Sequence, residues 1–195
     1  MVFFLLSFLF LYVKHGKLIV NRKMHIKKMK FLLNLKPWQL FSLILVPNLI
    51  PAFSFWIELL DVIALFVYIG WIYSIGVTMH SLVSDVNKPN LLYFKICCVF
   101  ISVTYVIEPF VSYSFNEFIG YSFNKWMILL VIFVICIMFY VFMFAAQMLE
   151  SVINGYLVYG SDSLKAFFGF WFFPIGIWYI QPVVQRVLKQ NEAHI

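Results

Sequence analysis

From residue 38 onward, long apolar runs alternate with short polar breaks, and the runs have the length of helices that cross a bilayer. The first, Trp38 to Phe55, follows Lys36-Pro37. Pro47 and Pro51 are expected to kink it, because each removes an amide donor and crowds the carbonyl four residues earlier. A turn carrying Glu58 and Asp61 leads into a second run, Leu59 to Met79, predicting a tight antiparallel hairpin. Then come a polar loop from His80 to Asn90, a third run from Leu92 to Tyr113, and a loop from Ser114 to Lys125 containing Glu117 and Gly120. The fourth run, Trp126 to Ala146, has no charge and thirteen Ile, Leu, Val or Phe residues. Each contributes roughly −0.3 to −0.6 kcal/mol to insertion at the helix centre.

Beyond that run, Gln147, Glu150, Ser151 and Asn154 fall at i, i+3, i+4 and i+7. The spacing predicts a polar stripe on a helix that continues into water or the interface. Gly155, Gly160 and Ser161-Asp162-Ser163 mark a break, with Asp162 or Ser163 placed to cap the last apolar segment, Leu164 to Pro182. That segment contains FWFFPIGIWYIQP, uncharged but interrupted by Pro174, Gly176 and Pro182. Pro174 deprives the Phe170 carbonyl of its usual partner, which in hydrocarbon costs several kcal/mol unless neighbours, hydroxyls or water replace it. The segment is therefore expected to pack inside the bundle, with Gly176 admitting a second backbone and Gln181 serving a carbonyl freed by Pro182. A kinked fifth span and a re-entrant hairpin both fit; length favours the kinked span.

Composition turns these runs into a membrane assignment. Of 195 residues, 64% are hydrophobic and 11% charged, with a mean hydropathy of +0.96. Soluble domains are about half apolar and a quarter charged. The expected fold class is an all-α integral membrane helical bundle of about five helices, the last kinked or re-entrant.

Charge then orients it. Lys14, Lys17, Arg22, Lys23, Lys27, Lys28, Lys30 and Lys36 are eight of the fourteen basic residues. Their position before the first long run places the N-terminus in the cytoplasm by the positive-inside rule, and favours anionic lipid over nucleic acid as their partner. The Glu58/Asp61 and Glu117 loops are then outside. A full crossing by the last segment puts Arg186 and Lys189 outside, against the rule. Residues 2–13 are apolar but too short to span, and without a preceding basic region they do not form a signal peptide. Met24 and Met29 are alternative starts. The expected organisation is a basic segment (1–36), a transmembrane helical domain (37–182) and a polar tail (183–195).

Little chemistry is legible. An acid inside a span is a functional candidate, which singles out Glu108, although Glu108-Pro109 also suits the outer end of a helix. Glu150 with Gln147 suits either a polar entrance or a solvated face. His80 borders a span beside Ser81 and Ser84, which suits a proton relay or a metal site, but it has no second ligand at i+3 or i+4. Cys97, Cys98 and Cys136 lie in apolar runs without metal-binding or disulfide spacing. No cofactor, metal or catalytic residue is expected. Gly70, Ser74, Thr78 and Ser81 form a stripe of small residues suited to close helix packing in lipid.

LKPWQLF (35–41), GWIYSIGVTM (70–79) and FFPIGIWYIQP (172–182) together resemble a group of small bacterial multi-pass membrane proteins to which no reaction is assigned. The similarity covers about residues 30–190. This chain departs from it in its extra N-terminal segment and in Val183-Val184, where the pattern has a basic residue. The resemblance implies a cell-membrane bundle and transfers no catalytic residue. The expected role is non-enzymatic: a structural or accessory component of a membrane complex, with the lipid bilayer and a homo-oligomer or another membrane protein as partners. The alternative is a small transporter or channel subunit, with a site framed by Pro47, Pro51, Pro174 and Gly176 at broken helices. Intramembrane catalysis ranks below both.

Overall fold

The computed structural model describes residues 31–49, 55–83, 88–118 and 125–193. Side chains of residues 47–49, 55–59, 108–118, 125–127 and 192–193 lie outside that description. The chain divides into two compact units, Met1–Phe31 and Leu32–Ile195, and the second holds the helices that follow. They are α1 (Pro37–Leu49), α2 (Phe55–Leu82), α3 (Leu91–Phe118), α4 (Lys125–Asn154), a 3-10 turn (Gly160–Ser163), α5 (Leu164–Trp171) and α6 (Phe173–Ala193). No strand occurs among the described residues.

The start of α1 explains the order of residues in KPWQ. Pro37 takes the first helical position, where no amide donor is needed. Gln39 reaches back so that its Oε1 accepts from the Lys36 amide at 2.9 Å, one half of a capping box. α1 has 13 residues and a length of about 20 Å, short of the ~30 Å hydrocarbon layer. Pro47 belongs to its backbone, and Pro51 lies outside the described residues.

α2 and α4 are the long apolar helices. Leu60–Leu82 and Ile128–Asn154 are both apolar enough and long enough to cross a membrane. Glu58 and Asp61 were expected in a turn but belong to α2, which starts at Phe55. Glu58 falls in its first turn, where the positive end of the helix dipole favours an acid, and Asp61 lies a turn further in. At the other end α2 runs through His80 to Leu82, and α3 continues to Phe118. The loops expected at 80–90 and 114–125 are thus partly helical; residues 84–87 and 119–124 lie outside the description.

α4 has two regimes. Residues 128–133 are all exposed, whereas Phe144, Ala145, Ala146, Met148 and Leu149 are buried. The expected helical extension to Asn154 is present, but its polar stripe is not simply solvated. Ser151 is buried; its hydroxyl donates to the Gln147 carbonyl and accepts from the Val158 amide at 2.9 Å. That bond folds the chain back after Gly155, whose φ of 75° is a left-handed conformation suited to glycine. Ser163 precedes α5 without capping it, because its hydroxyl donates to the Gly160 carbonyl at 2.8 Å instead.

The last apolar segment is sharply bent. It breaks at Phe172 (φ −89°, ψ 59°), and its two helical parts are bent by 120°. Pro174 sits in the first turn of α6, where its missing amide breaks no bond. The turn is held by the Ile175 and Gly176 amides, which both donate to the Phe172 carbonyl. The tail expected from residue 183 is the second half of α6, with Val184, Val187 and Leu188 buried. The shared core joins Trp71, Ile75 and Met79 of α2, Phe94 and Ile101 of α3, Phe142 and Met148 of α4, Phe170 of α5, and Ile177 and Ile180 of α6.

Candidate functional site

The chief polar cluster of the interior lies where α2, α6 and residues 32–35 meet. Trp71 and Gln181 are both fully buried, and the indole Nε1 donates to Gln181 Oε1 at 2.7 Å. The same amide uses its Nε2 as donor to the carbonyls of Leu33 and Leu35 at 2.8 Å and of Leu32 at 3.2 Å. One turn later, Gln185 Nε2 donates to the Leu35 carbonyl at 2.9 Å. Residues 31–34 are helical and end here. The last carbonyls of a helix have no partner within it, and the two glutamines supply donors to them. Gln181 was expected to serve a carbonyl freed by Pro182 in its own helix. It serves these more distant carbonyls instead, because they meet α6 on its buried face.

A second bond secures the hairpin tip. The Tyr68 hydroxyl donates to the Phe170 carbonyl, the group that Pro174 was expected to leave in need of a donor. The Tyr68 ring packs 5.2 Å from Phe173 and 6.1 Å from Phe142, and Trp71 lies 5.5 Å from Phe170. Gly176 behaves as expected: a Cβ there would overlap the backbone of Gly169, so the two arms touch main chain to main chain.

The other candidates are dispersed. Glu108 lies in the α3 backbone, and its side chain is outside the described residues. Glu150 is half-buried on α4, and its carbonyl accepts from Asn154 Nδ2 at 2.9 Å. His80 is bound to the loop after α2, with Nε2 2.9 Å from the Pro89 carbonyl. Its ring stacks on Phe144 at 6.0 Å. Lys88 Nζ donates to the carbonyls of His80 and Val83, closing the end of α2. Among the described residues no three His, Cys, Asp or Glu side chains are grouped to hold a metal. Cys97, Cys98 and Cys136 are all free.

The small-residue stripe is partly a packing surface. Ser74 and Thr78 are buried, Gly70 lies beside Leu32, and Ser81 is exposed. The closest glycine contact on α2 is at Gly76, where a Cβ would overlap the Phe94 ring. Sequence reading missed Gly76, Tyr68, Trp71 and Gln185. The available signal was chemical: an indole or phenol inside an apolar helix still needs a partner for its polar tip. Compared with protein-family models, characterised proteins and solved structures, the chain matches none.

Proposed function

We propose that this chain is a multi-pass cell-membrane protein with about five membrane-embedded helices and a cytoplasmic basic N-terminus. It acts as a non-enzymatic structural or accessory component of a membrane complex, in a homo-oligomer or with another membrane protein. One observation carries the reading. Among the described residues, no buried side-chain nitrogen or oxygen lacks a hydrogen-bond partner. Trp71, Gln181 and Tyr68 all spend their polar atoms holding helices together. In lipid, where apolar surface alone does not draw helices together, such bonds and close packing do that work. The resemblance of LKPWQLF, GWIYSIGVTM and FFPIGIWYIQP to small bacterial membrane proteins supports the same reading.

The last segment is best read as a re-entrant hairpin. α5 has eight residues, about 12 Å of helix, less than half the hydrocarbon thickness, before the chain turns by 120°. This returns Arg186 and Lys189 to the side of Lys165, in keeping with the positive-inside rule. Reporter fusions after Tyr159 and Ile195 should report the same side; opposite sides would establish a crossing.

A transporter or channel site at Pro174 and Gly176 needs exposed backbone groups. Here the Phe170 carbonyl is bonded to Tyr68, and Gly176 is covered by Gly169. Capture of the native protein in mild detergent, with mass spectrometry of what accompanies it, tests the accessory role. A stable membrane partner or a homo-oligomer is expected. A monomer whose cysteine variants at positions 108 and 174 react with a soluble thiol reagent would favour the transporter reading.

A further inference from the structure

α6 has two faces that separate cleanly at 100° per residue. Ile177, Ile180, Gln181, Val184, Val187 and Leu188 are buried on one. The opposite face presents Ile175, Trp178, Tyr179, Arg186 and Lys189, all exposed. Read from the hairpin tip toward the C-terminus, this outer face passes from aliphatic to aromatic to cationic. Ile175 to Lys189 covers about 21 Å of helix, enough to run from hydrocarbon through the polar layer of one leaflet.

We propose that this outer face binds anionic phospholipid in the leaflet from which the hairpin enters. The proposal rests on the membrane reading above and adds a lipid class and a place. Each part of the face matches a layer. Ile175, 76% exposed, faces acyl chains. Trp178 and Tyr179, beside Gln181 and so near the level of Trp71 in the middle of the α2 span, face acyl chains too. Arg186 and Lys189, two and three turns further on, meet lipid phosphates. Pro182 lies between the two groups on the exposed side. The opposite face is buried against the bundle, and at the flank of the outer face the Trp178 ring lies 6.2 Å from Phe41 of α1 while remaining half exposed.

The test uses the full-length chain in nanodiscs carrying brominated acyl chains, either on phosphatidylglycerol or on phosphatidylcholine. Subtracting the fluorescence of Trp178→Phe isolates the quenching of Trp178. Stronger quenching by brominated phosphatidylglycerol is expected. Arg186→Gln/Lys189→Gln should abolish that preference, each cation contributing roughly five-fold to local lipid enrichment. Equal quenching by the two lipids, or a preference untouched by the double substitution, would overturn the proposal. Unfolding in detergent confirms that both variants retain the fold. Failure of the underlying membrane reading looks different: the chain would be monodisperse in plain buffer without any amphiphile.

Discussion

The main chain of Gly169 occupies the space that a side chain on Gly176 would need. The arms of the hairpin therefore meet without any side chain between them, and the 120° turn depends on that contact. Replacing Gly176 by Ala forces the arms apart, because the obstacle is backbone and cannot rotate away. Overpacking typically costs about 1–3 kcal/mol, and Gly176→Ala should reach at least the upper end. Thermal unfolding in detergent reads this directly; a native-like midpoint would show that the arms are not in contact.

The Trp71–Gln181 pair predicts strong non-additivity. Gln181→Leu leaves the buried indole without its acceptor and the carbonyls of Leu33 and Leu35 with Gln185 as their remaining side-chain donor. Each buried group left unpaired costs about 1–3 kcal/mol. Trp71→Phe removes the indole, so the double variant should be less destabilised than the two single losses added together. A coupling energy within experimental error of zero, measured by a double-mutant cycle, would contradict the bond.

Tyr68 and Pro174 should behave in opposite ways. Tyr68→Phe removes the hydroxyl that serves the Phe170 carbonyl, with an expected loss of about 1–3 kcal/mol. Pro174→Ala should change stability by less than about 1 kcal/mol, because a first-turn residue lends no intrahelical donor. If Pro174→Ala instead moved the C-terminus across the membrane in a reporter assay, the proline would be the cause of the turn.

Two glycines of α2 separate close packing from ordinary contact. A Cβ on Gly70 would lie 3.4 Å from Leu32 Cδ1, so Gly70→Ala should be neutral, or stabilising by up to about 1 kcal/mol through helix propensity. Gly76→Ala must displace the buried Phe94 ring, which is stacked 4.4 Å from Phe144, and should cost about 1–3 kcal/mol. The reverse ranking by thermal unfolding would show that the stripe through Gly70 is the tighter contact.

His80 should act as a fastener. His80→Ala loses the bond to the Pro89 carbonyl and the stack on Phe144, while His80→Gln retains a hydrogen-bonding tip and should be milder. Zinc should leave the unfolding midpoint unchanged; a zinc-dependent rise lost in His80→Ala would reveal a metal site.

Much of the architecture could be read along the chain. Hydrophobic runs of about twenty residues have few alternatives to helix when lipid is the solvent, since backbone groups must pair internally. This is why α2 and α4 were legible, as was the break at Gly155–Ser163. The need of the Phe170 carbonyl for an outside donor and the close approach at Gly176 were legible too, because both follow from local covalent chemistry. The boundaries near Glu58 and Asp61 were not, because acids suit a turn and a helix N-terminus equally well.

What remained for the tertiary structure was the choice of partners. Local sequence says that Gln181 must spend its amide somewhere; only the packing of α6 against residues 32–35 directs it to those carbonyls and to Trp71. Likewise, two prolines and a glycine announce an interruption. Whether it bends a span or reverses the chain depends on Tyr68 and Gly169, residues up to about a hundred positions apart that no local rule joins. Solvent preference accumulates residue by residue and is written in composition, whereas hydrogen bonds across a bundle depend on distances that exist only once the helices have met.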